Sequence, residues 1–359
     1  MRDLFKNPAW RTALILPFMG LAAAMLWWRG PDWNQVGDAF SAVRWEWVVA
    51  AVGFNLISVV ARAFAWRTVI NQALPEPHPS FGIVFSAFSV GLFANAVLPG
   101  RVGELARVAV LTRRLPGRQG VWATLVGSVF AHRVFDIFPS LALVIWVLST
   151  ARIPSWALTS LIALACVGGF LLAVGLLAAR RHPGEHHRIE AGLGTIRRLF
   201  TMARYGLAVL REPLPALTAL FFQCLGWFTQ LLAVWCAMKA FHIYQPLTAA
   251  ALVLVLMNIA TILPLWPGNV GLLQAAIAIP LRNQYGVALA KGFAFGFGLQ
   301  LIEASVGIGV GMIFLAREGL SFAMLKVMPD ATKAEVPLET QEEDSKPPPT
   351  KRARARVPG

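Results

Sequence analysis

The side chains able to do chemistry in this sequence are a few charged residues set inside long apolar runs. The first group is Asn95-Ala96-Val97-Leu98-Pro99-Gly100-Arg101-Val102-Gly103-Glu104-Leu105-Ala106-Arg107. With a helix beginning near Gly100, Arg101, Glu104 and Arg107 fall at successive i, i+3 spacings, so Glu104 can pair with either arginine. The start of that helix also presents free backbone N–H groups and the positive end of its dipole. Such an end beside two arginines suits an anion, a phosphodiester headgroup being the obvious one. An ordinary ion-pair ladder on a surface helix has the same spacing.

The second group is His132-Arg133-Val134-Phe135-Asp136, near the middle of an apolar run. Charges at that depth cost several kcal/mol, roughly, and face a bundle interior or a wet cavity. Arg133 and Asp136 can neutralise each other at i, i+3; alternatively Arg133 serves a headgroup and Asp136 orients it. The third group is Asn258 followed by Leu263-Pro264-Leu265-Trp266-Pro267-Gly268-Asn269-Val270-Gly271-Leu272-Leu273-Gln274. There Asn269 is the expected N-cap of a short helix. Glu303 is a lone intramembrane carboxylate, and with His132 and Asp136 it completes the set of candidate proton carriers. Arg62, within two turns of a span end, can simply snorkel.

The elements that must position these residues follow from hydropathy. The 359 residues are 57% hydrophobic and only 14% charged, whereas a soluble domain carries about a quarter charged residues. A spanning helix needs about 20 apolar residues. Runs at 12–28, 47–70, 81–98, 120–149, 155–178, 214–237, 247–264 and 291–315 qualify, while 101–111 and 269–281 are too short to span alone. Each short run follows a Pro-Gly break, at Pro99-Gly100 and Pro267-Gly268.

Arg2, Lys6 and Arg11 place the N-terminus in the cytoplasm, and the arginine-rich linker 179–213 joins it there. Arg113, Arg114 and Arg118 then fall on the wrong side unless 81–111 is a re-entrant hairpin; by the same logic 247–281 becomes a hairpin entering from outside. Kinked full spans are the other solution that Pro and Gly allow. The expected fold is therefore an all-α integral membrane protein of about eight hydrophobic segments. Its two re-entrant helical hairpins enter from opposite faces, in an inverted-repeat-like plan. Residues 1–11 form a cytoplasmic N-terminus, 12–320 the transmembrane domain, and 321–359 a cytoplasmic tail, largely disordered.

Several function classes drop out. The formal charge of +14 is spread over loops and helix ends with no recognition module, so no nucleic-acid partner is expected. Its expected partners are anionic lipids, on which the basic end Lys351–Arg356 can rest; a solvated tail with no specific role is the other reading of that end. Cys166, Cys224 and Cys236 lie in apolar runs without CxxC spacing, and His182, His186 and His187 have no further ligands, so no metal and no cofactor are expected. A catalytic nucleophile or paired carboxylates are not visible, so an enzyme is not expected.

The run NAVLPGRVGELAR from Asn95 to Arg107 resembles the LPGRxGExxR signature of the lysylphosphatidylglycerol synthase transmembrane region, a flippase-like group that includes UPF0104 proteins. HRVFD at 132–136 is similar to that family's ERxxD motif, and LPLWPGNVGLLQ at 263–274 resembles its PxxPGGxGxxE motif. The resemblance covers roughly 10–320 and implies a module that translocates lipids, in some members aminoacylated phosphatidylglycerol. His132 and Gln274 each stand where the family usually has Glu. Both changes remove negative charge, which suits a neutral or anionic lipid better than a cationic aminoacyl headgroup. Only a short tail follows the last span, so synthase activity is not expected.

These readings converge on an inner-membrane lipid flippase or lipid-transport protein with both termini cytoplasmic. Asn95, Arg101, Glu104, Arg107, Arg133, Asp136 and Asn269 would line the headgroup site. Phospholipids, hopanoids and polyprenyl-linked lipids are all compatible. The alternatives are a non-transporting assembly or partner protein and a polytopic membrane transferase.

Overall fold

The computed structural model describes residues 30–98, 102–115, 121–150, 212–261 and 269–319, with residues 20, 24, 28 and 159 besides. Among them the secondary structure is helical throughout, without a strand. Nine helices carry the argument: α1 (Trp33–Ser41), α2 (Trp45–Ala73), α3 (Phe81–Val97), α4 (Gly103–Arg113), α5 (Val121–Thr150), α6 (Pro213–Ala240), α7 (Leu247–Ala260), α8 (Leu272–Tyr285) and α9 (Leu289–Arg317).

Within α2, α5, α6 and α9 lie stretches long and apolar enough to cross a membrane. They coincide with the expected spans at 47–70, 120–149, 214–237 and 291–315. The chain is a multi-pass, all-helical membrane protein. The expected spans 12–28 and 155–178, the linker and the tail lie outside the described residues, apart from scattered positions. Helix α1 was not expected. Asp32 starts it by accepting the Asn34 N–H at 2.9 Å, and Trp33, Val36 and Ala39 turn its apolar side onto the core.

Two four-helix units share one plan. Lengths run 29, 17, 11 and 30 residues over α2–α5, and 28, 14, 14 and 29 over α6–α9. The sequence keeps a constant offset: Pro99-Gly100-Arg101-Val102-Gly103 is answered 168 residues later by Pro267-Gly268-Asn269-Val270-Gly271. Packing follows the same exchange, since α9 lies on α3 as α5 lies on α7, and α4 on α5 as α8 on α9.

The leading helices α2 and α6 form the closest pair, and they are antiparallel. Arg44 N–H donates to the Ala240 carbonyl at one end (3.0 Å), Ser58 Oγ to the Gly226 carbonyl in the middle (2.7 Å), and Phe64 stacks on Phe222 farther along. Ser58 and Gly226 are themselves 168 residues apart, so equivalent positions face each other at the crossing. Antiparallel leading helices set the two units in opposite directions. The α3–α4 pair therefore starts near one end of the α2–α6 pair and the α7–α8 pair near the other. Each also has its own apolar cluster, one around Trp66, Leu111 and Leu125, the other around Leu252, Ile277 and Phe295.

Helix α4 cannot cross a membrane singly, because its 11 residues rise only about 16 Å. What closes α3 onto α4 is glycine. A Cβ on Gly91 would stand 2.8 Å from the Gly103 carbonyl oxygen, and one on Gly103 would overlap the Gly91 carbonyl and the Asn95 side chain. Gly103→Ala should therefore lower the thermal unfolding temperature of purified protein, costing about 1–3 kcal/mol. Gly37→Ala, with nothing within 4 Å of the added methyl, is the control, and equal unfolding temperatures would disprove the close packing.

At one end of the bundle Glu318, just past α9, accepts from Ser86 Oγ of α3 at 2.6 Å and from Arg114 Nε after α4 at 2.8 Å. Burial pushes this carboxyl up, but the hydrogen bonds from Arg114 and Ser86 outweigh it and hold the group below the ordinary glutamate range. A depressed folded value means that the stabilisation is present above the unfolded value, about 4.3, and is lost as pH falls through the folded one. Hydrogen-exchange protection at residues 312–318, taken relative to the intrinsic rate at each pH, should therefore fall as pH drops below that unfolded value. Glu318→Gln should remove that pH dependence; a dependence that persists in the variant would assign it elsewhere.

Candidate functional site

The charged residues of the first unit meet where α4, α5 and α6 converge. Glu104 sits in the first turn of α4, where a carboxylate suits the helix dipole. It forms ion pairs with Arg107, one turn on, and with Arg133 of α5. Arg133 continues the chain to Asp136 Oδ2 at 3.0 Å. Asp136 Oδ1 in turn accepts from Trp227 Nε1 at 2.8 Å and from Gln223 Nε2, both on α6. The result is one line, Arg107–Glu104–Arg133–Asp136, ending on two neutral donors.

Its two arginines are not equivalent. Arg107 is 3% exposed, with its guanidinium 4.6 Å from the Trp66 ring centroid and 5.4 Å from that of Phe88. Aromatic faces and one carboxylate replace the water it has lost. The Arg133 side chain is half exposed, at 51%. It is held between two carboxylates, with open surface left for an anion.

A second polar chain adjoins the first. Glu303 of α9 accepts from Gln230 Nε2 of α6 at 2.7 Å, and Ser58 Oγ of α2 reaches Gln230 Oε1 at 3.2 Å. Arg62 of α2 lies over the Trp227 ring with its Nε buried. It sits in the interior of the α2–α6 pair, where snorkelling toward the span end was one expectation.

The structure corrects other sequence expectations. Helix α4 begins at Gly103 rather than near Gly100, and Arg101 lies outside the described residues. Asn95 accepts the Gly103 N–H at 2.9 Å, so its side chain ties the end of α3 to the start of α4. Asn269 is not the N-cap of α8; Gly271 is, with φ 88°, because only glycine takes that conformation cheaply. Asn269 is itself left-handed, at φ 46°, and its Nδ2 closes the end of α7 by donating to the Ala260 carbonyl at 2.8 Å. Asn258 likewise donates to its own helix, at Leu254 O. His132 is buried, with Nε2 3.2 Å from the Arg62 carbonyl oxygen and its ring edge-on to Phe88.

Gln274, at the glutamate position of the family motif, is fully buried. Its Oε1 accepts the Gly271 N–H at 2.6 Å, and its Nε2 donates to Gln300 Oε1 at 2.7 Å. The carboxamide thus accepts from one partner and donates to the other. The positions equivalent to Glu104, Arg107, Arg133 and Asp136 are Leu272, Ala275, Leu301 and Ala304. The charged line thus belongs to one unit alone.

Sequence reasoning did not single out Gln223, Trp227, Gln230, Ser58 or Trp66. The signal available was two glutamines one heptad apart in an otherwise apolar α6.

Comparison with known proteins places the chain in a family. Residues 11–311 match the family described as Lysylphosphatidylglycerol synthase TM region. A UPF0104 membrane protein of Pyrococcus horikoshii is 28% identical over 127 residues, which is 35% of this chain and 36% of that protein. The match thus spans about a third of the relative's length. No solved structure matches the chain.

Proposed function

The chain belongs to the lysylphosphatidylglycerol synthase transmembrane-region family, and from that premise we propose that it binds a polar, phosphate-bearing lipid headgroup and carries it across the inner membrane without covalent change. In this reading α3–α4 and α7–α8 are re-entrant hairpins entering from opposite faces, with both chain termini cytoplasmic. The headgroup phosphate is held at Arg133, beside the start of α4, while Arg107 and Glu104 fix the position of that guanidinium.

The observation that carries the proposal is the half-exposed Arg133 clamped between Glu104 and Asp136. An arginine meant only to close an ion pair needs one carboxylate. Two carboxylates hold the planar fork by its two ends while half of the side chain stays exposed, which leaves further N–H groups for a phosphate. Antiparallel units of equal plan support transport, because two such units can exchange roles about a shared site.

Binding is testable apart from movement. Native mass spectrometry of protein released from vesicles of phosphatidylethanolamine and phosphatidylglycerol should show retained phospholipid, lost in Arg133→Gln. Equal retention by both proteins would remove Arg133 from the site.

A further inference from the structure

Arg62 stands between the repeats with no role in the headgroup line. Its guanidinium lies 5.4 Å from the Trp227 ring centroid, and its buried Nε has no hydrogen-bond partner among the described residues. Gly226 makes room for it, since a Cβ there would stand 2.8 Å from Arg62 Cγ. Gly226 is also the residue that faces Ser58 where the equivalent helices cross. Arg62 is therefore one turn from the axis that exchanges the two units.

Two carboxylates surround this one guanidinium: the Trp227 ring beneath it donates to Asp136 of α5, and Gln230, one turn from the Gly226 on which Arg62 packs, donates to Glu303 of α9. Helices α5 and α9 are equivalents, and Glu303 is the neighbour of Ala304, the counterpart of Asp136. Each carboxylate is meanwhile steadied by neutral donors from α6, Trp227 and Gln223 for Asp136 and Gln230 for Glu303. The cation thus faces one acid from each unit without a hydrogen bond holding its Nε to either. A desolvated guanidinium is costly without a counter-charge, so whichever acid moves away leaves the other to hold it.

We propose that Arg62 is a counter-ion shared between the two repeats, drawing closer to Asp136 in one arrangement of the units and to Glu303 in the other. The two arrangements are then discrete, and the cation carries the state of one unit to the other. The proposal rests on the transport reading for its purpose, but its test needs no lipid movement.

Hydrogen exchange on the full chain in nanodiscs of phosphatidylethanolamine and phosphatidylglycerol reads it out. Asp136→Asn leaves Arg62 to Glu303, and Glu303→Gln leaves it to Asp136. The two variants should shift protection of residues 81–113 and 247–285 in opposite senses, at least twofold in rate each way. In an Arg62→Gln background that opposition should vanish, and in an Arg62→Lys background it should persist. Shifts in the same sense, no shift, or opposition that survives Arg62→Gln would overturn the shared counter-ion. The comparison in the native background decides the matter even where Arg62→Gln does not fold. Opposed shifts in a protein that moves no lipid in vesicles would keep the counter-ion and discard transport.

Discussion

Glu104→Gln should destabilise the protein by about 3–5 kcal/mol and abolish lipid movement, because it strands the buried Arg107 without its counter-charge. Arg107 is almost fully enclosed and has its ion pair to Glu104. The faces of Trp66 and Phe88 attract a cation but contribute only about 0.5–2 kcal/mol each, too little to replace a carboxylate. The double variant Glu104→Gln/Arg107→Met separates the causes. Removing both charges takes away the stranded cation, so stability should return to within about 1–2 kcal/mol of the parent. Lipid movement should stay lost, because Arg133 no longer has the carboxylate that orients it. Chemical or thermal unfolding in detergent, followed by vesicle assay of both variants, checks this. Equal destabilisation by the single and double variants would show that Glu104 matters for some reason other than Arg107.

Arg133→Gln should have the reverse profile. Its side chain is half exposed, and Asp136 keeps its donors Trp227 and Gln223 when Arg133 is lost, so stability should change much less than in Glu104→Gln. A charge-assisted hydrogen bond to a headgroup phosphate contributes about 1.5–3 kcal/mol, and each 1.36 kcal/mol is tenfold in rate. Headgroup movement should therefore fall by roughly 10–150-fold in protein that stays folded. Arg133→Lys should recover only part of it, since an ammonium keeps the charge but not the planar fork.

Much of this architecture was legible in the sequence because lipid imposes a simple rule on helices: length and hydropathy locate them. The runs at 47–70, 120–149, 214–237 and 291–315 became α2, α5, α6 and α9, and the Pro-Gly breaks separated α3 from α4 and α7 from α8. Glu104 pairing with Arg107, and Arg133 with Asp136, followed from i, i+3 spacing. The bond from Glu104 to Arg133 did not, since it joins α4 to α5 and no spacing rule reaches across helices.

The same limit hid Gln223 and Trp227. Their partner Asp136 is 87 and 91 residues away, and only the packing of α6 against α5 brings them together. Asn269 failed as an N-cap for a local reason. Its left-handed backbone turns the side chain back to Ala260, and the glycine two positions on starts the helix instead. Arg62 read as a snorkelling residue because its distance from the span end was the sole measure available. The antiparallel crossing at Ser58 and Gly226 puts it next to the axis between the units.

The central claim is that a lipid headgroup crosses the membrane through Arg133, and one measurement addresses it directly. Purified protein is reconstituted into vesicles of phosphatidylethanolamine and phosphatidylglycerol, each carrying a trace of one headgroup-labelled lipid. The fraction of label reachable by an impermeant quencher is then followed over time, with Arg133→Gln as the matched control. The account predicts protein-dependent movement of at least one phosphate-bearing lipid, slowed at least tenfold in the control. Folded protein that moves none of the lipids, or moves them equally well with Gln at 133, would contradict it.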